Sequence, residues 1–266
     1  MSHRYLTETT WRETRDGRPR RHRPAAHRLT GTTRRTLPLG TDTLLAEAVT
    51  ERALAHLAGR AADGERVPHV VRLPTLPYGH SPHHLFAAAL TLSAHTLGLV
   101  LDEILDSLAA TGHRRVLVVN GHGGNDEIMR LAVKRFALRA EVTAAACSYW
   151  SLGEAAADAE HAALVPGHAG WYETSLMLAA HPGLVRTPVP AREPVDPPPL
   201  FDRPPYPGLT TERHGEWERV GGSTDDASGA QAERGAALLD ARARALAGAV
   251  LAFDRATGTE TGDGTG

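Results

Sequence analysis

Apolar and polar positions change rhythm several times along the chain. From Thr41 onward Leu44, Leu45, Ala48, Val49 and Leu57 recur at helical spacing, predicting a helix to about residue 57 with Thr41 or Asp42 as its cap. Val70, Val71, Leu73 and Leu76 read as a short buried strand ending at Pro77 and Gly79. Residues 92–108 predict a long amphipathic helix. Arg115–Asn120 encloses Val-Leu-Val-Val, an apolar run of strand length that fits a buried parallel strand. A glycine-rich loop over 121–125 leads into a helix at 127–138, and residues 142–149 predict another strand. A helix follows at 172–180, and nine prolines make residues 187–208 an extended excursion. A last helix spans about 229–253, and a Gly/Thr-rich, disordered tail covers 255–266. Residues 1–36 show no periodicity. Strands alternating with helices predict an α/β fold with a mainly parallel sheet, right-handed crossovers, and a site built from loops at the carboxyl ends of strands. His122 lies in such a loop.

Composition narrows the class. With 266 residues and 41% hydrophobic content the chain can bury one sizeable core. Cys147 is the only cysteine, which excludes an internal disulfide and a multi-cysteine zinc site and points to a reducing, cytoplasmic setting. No secretory signal is visible after the first charges, and no apolar stretch reaches the length of a membrane span. Fifteen histidines direct attention to metal chemistry. The net charge is −2, yet residues 12–35 hold nine arginines against Glu13 and Asp16. Such a tract reads as a solvated, disordered segment or as a nucleic-acid arm, and the acidic remainder of the chain disfavours the second.

Three segments carry chemistry. Asn120-Gly-His-Gly-Gly-Asn125 sets His122 between glycines just after a strand, where an imidazole can face a metal ion or a substrate; the plainer reading is a surface loop. The spacing is not that of a dinucleotide fingerprint, and the chain has no G-x-S-x-G elbow to support an esterase reading. Gly167-His-Ala-Gly-Trp-Tyr-Glu-Thr-Ser175 puts His168 in a glycine-flanked loop and Glu173 in a first helical turn, where the helix dipole alone favours a carboxylate. Leu37-Pro-Leu-Gly-Thr-Asp42 puts a carboxylate at a helix start, as a cap or as a bridge between cations.

In this order and spacing the three motifs resemble those of the creatininase family, over roughly residues 37–254. Pro77-Tyr-Gly-His-Ser-Pro-His-His84 and the segment Gly221–Gly235 add to the likeness. The resemblance implies a three-layer α/β/α fold with a mainly parallel central sheet. It implies hydrolysis of a C–N amide bond in a small molecule or short peptide, using two divalent ions, zinc or manganese. It assigns metal binding to Asp42, His122 and Glu173, proton shuttling to His168, and substrate contact to His84, Trp171 and Asn125. The loop Asn120–Asn125 lacks the Glu of creatininase itself and is closer to the formamide-hydrolysing members and the peptide-trimming members of mycofactocin type. A homo-oligomer, a hexamer in the family, is also implied.

Two departures stand out. The family carries Gly-Ser-x-Glu-Gln-His-Gly-x-His before Leu-Pro-Leu, and its Glu and first His are metal ligands. Here an ungapped alignment puts Gly31 and Thr33 at those positions, beside Arg34 and Arg35. The residues are nevertheless compatible with a shifted reading frame: synonymous codons exist for Arg28 to Arg35 that read Gly-Ser-Pro-Glu-Gln-His-Gly in the neighbouring frame, and for His22 to Arg28 that read Ile-Val-Leu-Leu-Pro-Ile-Gly. Residues after Trp11 and up to Thr36 are therefore expected to be an out-of-frame stretch between two compensating shifts; replacement ligands from His22 or His27 are the alternative. The second departure is His83-His84-Leu85-Phe86-Ala-Ala-Ala89, where the family has Phe-Pro-Gly-Thr after its Glu-His. A rival function follows, that of a non-catalytic family member acting as a binding or assembly subunit.

Overall fold

The computed structural model describes Thr10, residues 36–153 and residues 166–258. The Arg-rich stretch, with Gly31, Thr33, His22 and His27, lies outside the described residues, and so do residues 259–266 of the expected tail. The chain divides into two compact units. One takes Met1–Leu45, Leu76–Ser93 and Glu154–Leu239; the other takes Ala46–Thr75, Ala94–Gly153 and Asp240–Gly266.

Helix α1 is Thr41–Ala62, longer by a turn than its apolar spacing suggests. Its buried stripe is Leu45, Val49, Ala53 and Leu57, one residue per turn. The amide of Leu44 donates to the carbonyl of Gly40, so neither Thr41 nor Asp42 occupies the cap. The Thr41 hydroxyl turns back to donate to Pro38 O at 2.7 Å, and Asp42 sits inside the first turn.

The second unit holds a strand–helix–strand element. Helix α2 (Ala94–Ala110) precedes strand β1 (Arg115–Asn120), helix α3 (Asp126–Arg139) and strand β2 (Thr143–Ser148). The strands pair in parallel, with Val116 opposite Ala144 and Asn120 opposite Ser148. Leu105 of α2 and Ala132 and Phe136 of α3 form a buried cluster against Val116, Val118 and Ala144. Asp126 and Glu127 open α3 and Arg139 closes it, each charge complementing the helix dipole at its end.

The expected strand at Val70–Leu76 is absent. Residues 65–81 carry no regular structure, and Val70, Val71, Leu73 and Leu76 are all exposed, Val71 at 58%. Pro68, Pro74 and Pro77 remove three ladder donors from the stretch, which is why an apolar pattern alone does not make a strand there. Among the described residues the sheet consists of β1 and β2.

Cys147 lies on β2 and is buried. Burial pushes its thiol up to about 11, with the Asp126 carboxylate adding to the rise and Arg130 opposing it. At pH 8 about one thiol in a thousand is then ionised, and the thiolate is the reactive form. Ellman's reagent is expected to release less than a tenth of an equivalent in minutes from the native protein, and one equivalent in denaturant. A prompt full equivalent from native protein would mean that β2 is open to solvent.

The first unit contains helices α4 (Trp171–Ala180) and α5 (Glu216–Arg219) and the start of α6 (Ala232–Thr257). Every residue of α4 from Trp171 to Met177 is buried. Helix α6 continues three residues into the stretch expected to be tail, and the Gly258 amide closes it by donating to Asp254 O at 2.7 Å. Among the described residues no helix is long and apolar enough to cross a membrane.

Candidate functional site

The candidate residues fall in both units, and each part is built by its own local hydrogen bonds. In the second unit His122 follows β1 and is buried at 8% exposure. Asn120 organises its loop. The Asn120 Nδ2 donates to His122 O at 2.8 Å and to Ser148 Oγ at 2.9 Å. Its Oδ1 accepts the His122 amide at 3.0 Å and Asn125 Nδ2 at 3.3 Å. This side-chain turn explains why Asn precedes Gly-His: the short amide reproduces a backbone turn two residues on. Ser148 then donates to Asp126 at 2.6 Å, and Arg130 donates to the same carboxylate. Burial alone would raise the Asp126 carboxyl, but the hydrogen bonds from Arg130 and Ser148 and the Arg130 charge outweigh it and leave the group below its usual range.

In the first unit the segment 167–173 makes a tight approach to α4. Gly167 and Ala169 both have left-handed φ angles, of 56° and 49°. Ala169 is thus held in a conformation that costs a residue with a Cβ. Its amide donates to Glu173 Oε2 at 2.6 Å, so the carboxylate folds back over the start of its own helix. Gly170 is the residue before α4, and its carbonyl accepts the Thr174 amide. The indole of Trp171 is buried beneath the Arg234 guanidinium, which stands 4.4 Å from the ring centre.

Beside this turn stands a group of rings. His84, buried in the 3-10 turn Pro82–Ala87, stacks on His168 with ring centres 4.2 Å apart. His83 lies 3.8 Å from His84, and Trp217 of α5 meets all three imidazoles at 4.7–5.9 Å. Phe201 stacks flat on Trp217 at 4.1 Å. The turn ends at Ala88 with φ 63°, a left-handed value that glycine favours.

Of the residues singled out from the sequence, the structure places His168, Glu173, His84, Trp171 and Asp42 in one unit and His122 and Asn125 in the other. The sequence reading named His83 only within the departing stretch His83–Ala89, and it did not single out Trp217 or Asp225. The only prior signal for Asp225 was its place in the glycine-rich segment after Gly221. Among the described residues no three His, Cys, Asp or Glu side chains come together to hold a metal ion. One oxygen of Glu173 is already committed to a backbone amide. The candidate ligands Asp42 and Glu173 belong to one unit and His122 to the other, and Gly31 and Thr33, where the sequence expects two further ligands, lie outside the described residues.

A parallel strand–helix–strand unit with candidate residues in the loop after its first strand defines an α/β architecture. The creatininase family model, described as creatinine amidohydrolase, matches residues 35–250, and the chain belongs to that family. It is 38% identical over 152 residues to the mycofactocin precursor peptide peptidase of Mycobacterium ulcerans (strain Agy99), covering 57% of this chain and 55% of the relative. The chain thus spans about half the length of the curated relatives it matches. A solved creatinine amidohydrolase (creatininase) superposes with a TM-score of 0.58 at 27% identity, covering 81% of this chain and 83% of the other. A manganese form of creatininase gives 0.57 at 26%, covering 81% and 84%. The fold class read from the sequence, α/β with a parallel sheet, is that of these structures.

Proposed function

We propose that this protein is an amidohydrolase that cleaves a C–N amide bond in a short peptide or small molecule, with its metal centre weakened by the loss of two ligands. The supporting observation is the glycine-flanked turn that carries His168 and leads into the buried start of α4, where the Glu173 carboxylate folds back onto the Ala169 amide. An imidazole there is suited to pass a proton to a leaving nitrogen. His84, Trp171 and Asn125 would contact substrate, and Asp42, His122 and Glu173 would ligate divalent metal, zinc or manganese. The likeness to a peptide peptidase favours a short peptide over a ring amide. The working form would be a homo-oligomer in the cytoplasm.

A second reading, a metal-poor binding or assembly subunit, is favoured by Gly31 and Thr33 standing where the family carries two metal ligands. Metal content separates the two. The purified chain is expected to hold well under two divalent ions and to hydrolyse a panel of short-peptide amides slowly. The double substitution Gly31→Glu with Thr33→His is expected to bring the content towards two zinc or manganese ions and raise hydrolysis at least tenfold, since each ligand restored should strengthen binding by about an order of magnitude or more. If the double variant gains neither metal nor activity, the amidohydrolase reading fails and the subunit reading stands.

A further inference from the structure

We propose that Asp225 is a positioning residue, which with Thr224 clamps the turn bearing His168 and Glu173 from outside that turn. The inference rests on the functional reading above only in taking His168 and Glu173 as the residues worth positioning. Asp225 is buried, 6% exposed, and spends both carboxylate oxygens on donors. Its Oδ2 accepts the Trp171 amide at 2.7 Å, and its Oδ1 accepts the Thr224 hydroxyl at 2.8 Å. The Thr224 oxygen in turn accepts the His168 amide at 2.7 Å, and the Thr224 amide donates to His168 O at 3.0 Å. Ser223 donates to Asp225 O at 2.9 Å and reaches Ala169 O at 3.4 Å. Three consecutive residues, Ser223 to Asp225, thus grip His168, Ala169 and Trp171. The hydroxyl directions are fixed along this path, since Thr224 has one proton and gives it to the carboxylate.

The fit is tight on the other side as well. A Cβ on Gly170 would stand 1.9–2.1 Å from the Asp225 carboxylate atoms, so glycine there is what lets the carboxylate reach the helix start. The opposite flank of the clamp is held by Arg192, which donates to Thr224 O and whose amide donates to Asp226 Oδ1 at 3.1 Å. An ordinary helix cap comes from the residue next to the helix, whereas this carboxylate comes from 54 residues away. The contact therefore fixes where the turn lies, as well as satisfying a donor.

Three substitutions at two positions test this. Asp225→Asn keeps the shape but removes the carboxylate charge: the amide oxygen can still accept the Trp171 amide, while its NH2 faces the Thr224 oxygen and forces the hydroxyl proton to turn away. Thr224→Val removes the hydroxyl without changing volume, and Thr224→Ser restores it. The readouts are the His168 ring proton shift, set by stacking on His84, and the exchange rates of the His168 and Trp171 amides in full-length protein. Asp225→Asn and Thr224→Val are expected to move the His168 ring signal and speed both amides roughly tenfold, as expected for the loss of a charge-assisted hydrogen bond. Thr224→Ser is expected to match the parent protein. An unmoved His168 signal in Thr224→Val, or a uniform rise in exchange along all of α4 in place of a local one, overturns the clamp. Should Asp225→Asn fail to fold, the Thr224 pair decides alone. None of these readouts needs substrate, so the clamp can stand if amide hydrolysis is never found.

Discussion

Gly235→Ala is expected to lower the melting temperature by about 6–12 °C, a loss of roughly 3 kcal/mol at 2–4 °C per kcal/mol for a domain of this size. Gly235 lies in the first turn of α6, where it passes directly over α4. A Cβ there would stand 1.8 Å from the Ser175 carbonyl oxygen, 2.4 Å from its carbon and 3.0 Å from the Leu176 nitrogen. All three are backbone atoms of a helix whose residues are buried from Trp171 to Met177, so no rotamer change can relieve the overlap. Either α4 or α6 must shift by more than an ångström. Alanine is the better helix former, by about 1 kcal/mol. That gain is smaller than the overlap penalty, so the sign is destabilising. The same shift would pull at the Ser175 hydroxyl, which accepts the Gln231 amide at 3.2 Å and anchors the start of α6. Thermal unfolding of the purified variant measures the effect. A melting temperature equal to that of the parent would show that the two helices are not in this contact.

That contact also marks what the sequence could and could not reveal. The strands β1 and β2 and the helices α2, α3 and α4 were legible because each is a local apolar pattern bounded by polar or glycine positions. The run at Val70–Leu76 has a similar pattern yet forms no strand. Whether an apolar stretch joins a sheet depends on ladder donors and on a neighbour, and the prolines at 68, 74 and 77 supply neither. The site divides the same way. His122, His168 and Glu173 announced themselves through flanking glycines and family spacing. Asp225 and Trp217 did not, because their work is done across the chain: Asp225 binds the Trp171 amide 54 residues earlier, and Trp217 meets His83 and His84 from another element. Asn120 is intermediate, since an Asn before Gly-His suggests a turn, but its bond to Ser148 depends on the parallel register that sets the two residues opposite one another.

Asn120→Ala is therefore expected to be nearly as damaging as Gly235→Ala, and more telling about the site. It removes four hydrogen bonds at once, two of them to the backbone of His122. Leaving a buried donor or acceptor unsatisfied costs about 1–3 kcal/mol, and even with water entering the gap a net loss of about 3 kcal/mol is expected. Asn120→Asp separates shape from hydrogen bonding. The carboxylate can still accept the amide of His122, but it cannot donate to His122 O or to Ser148, and it adds a charge near Asp126, which already takes the Ser148 proton. Aspartate should thus recover little of the loss, whereas a purely steric role for Asn120 would let it recover nearly all. The consequence for chemistry is specific. With Asn120 gone, His122 keeps its place in the sequence but loses the turn that fixes its backbone. If His122 ligates metal as proposed, zinc or manganese affinity measured in the Gly31→Glu, Thr33→His background should fall by about 10–100-fold on adding Asn120→Ala, the usual consequence of removing a residue that orients a ligand. Unchanged affinity with the expected drop in stability would remove His122 from the ligand set while leaving its turn intact as a structural feature of the β1 end.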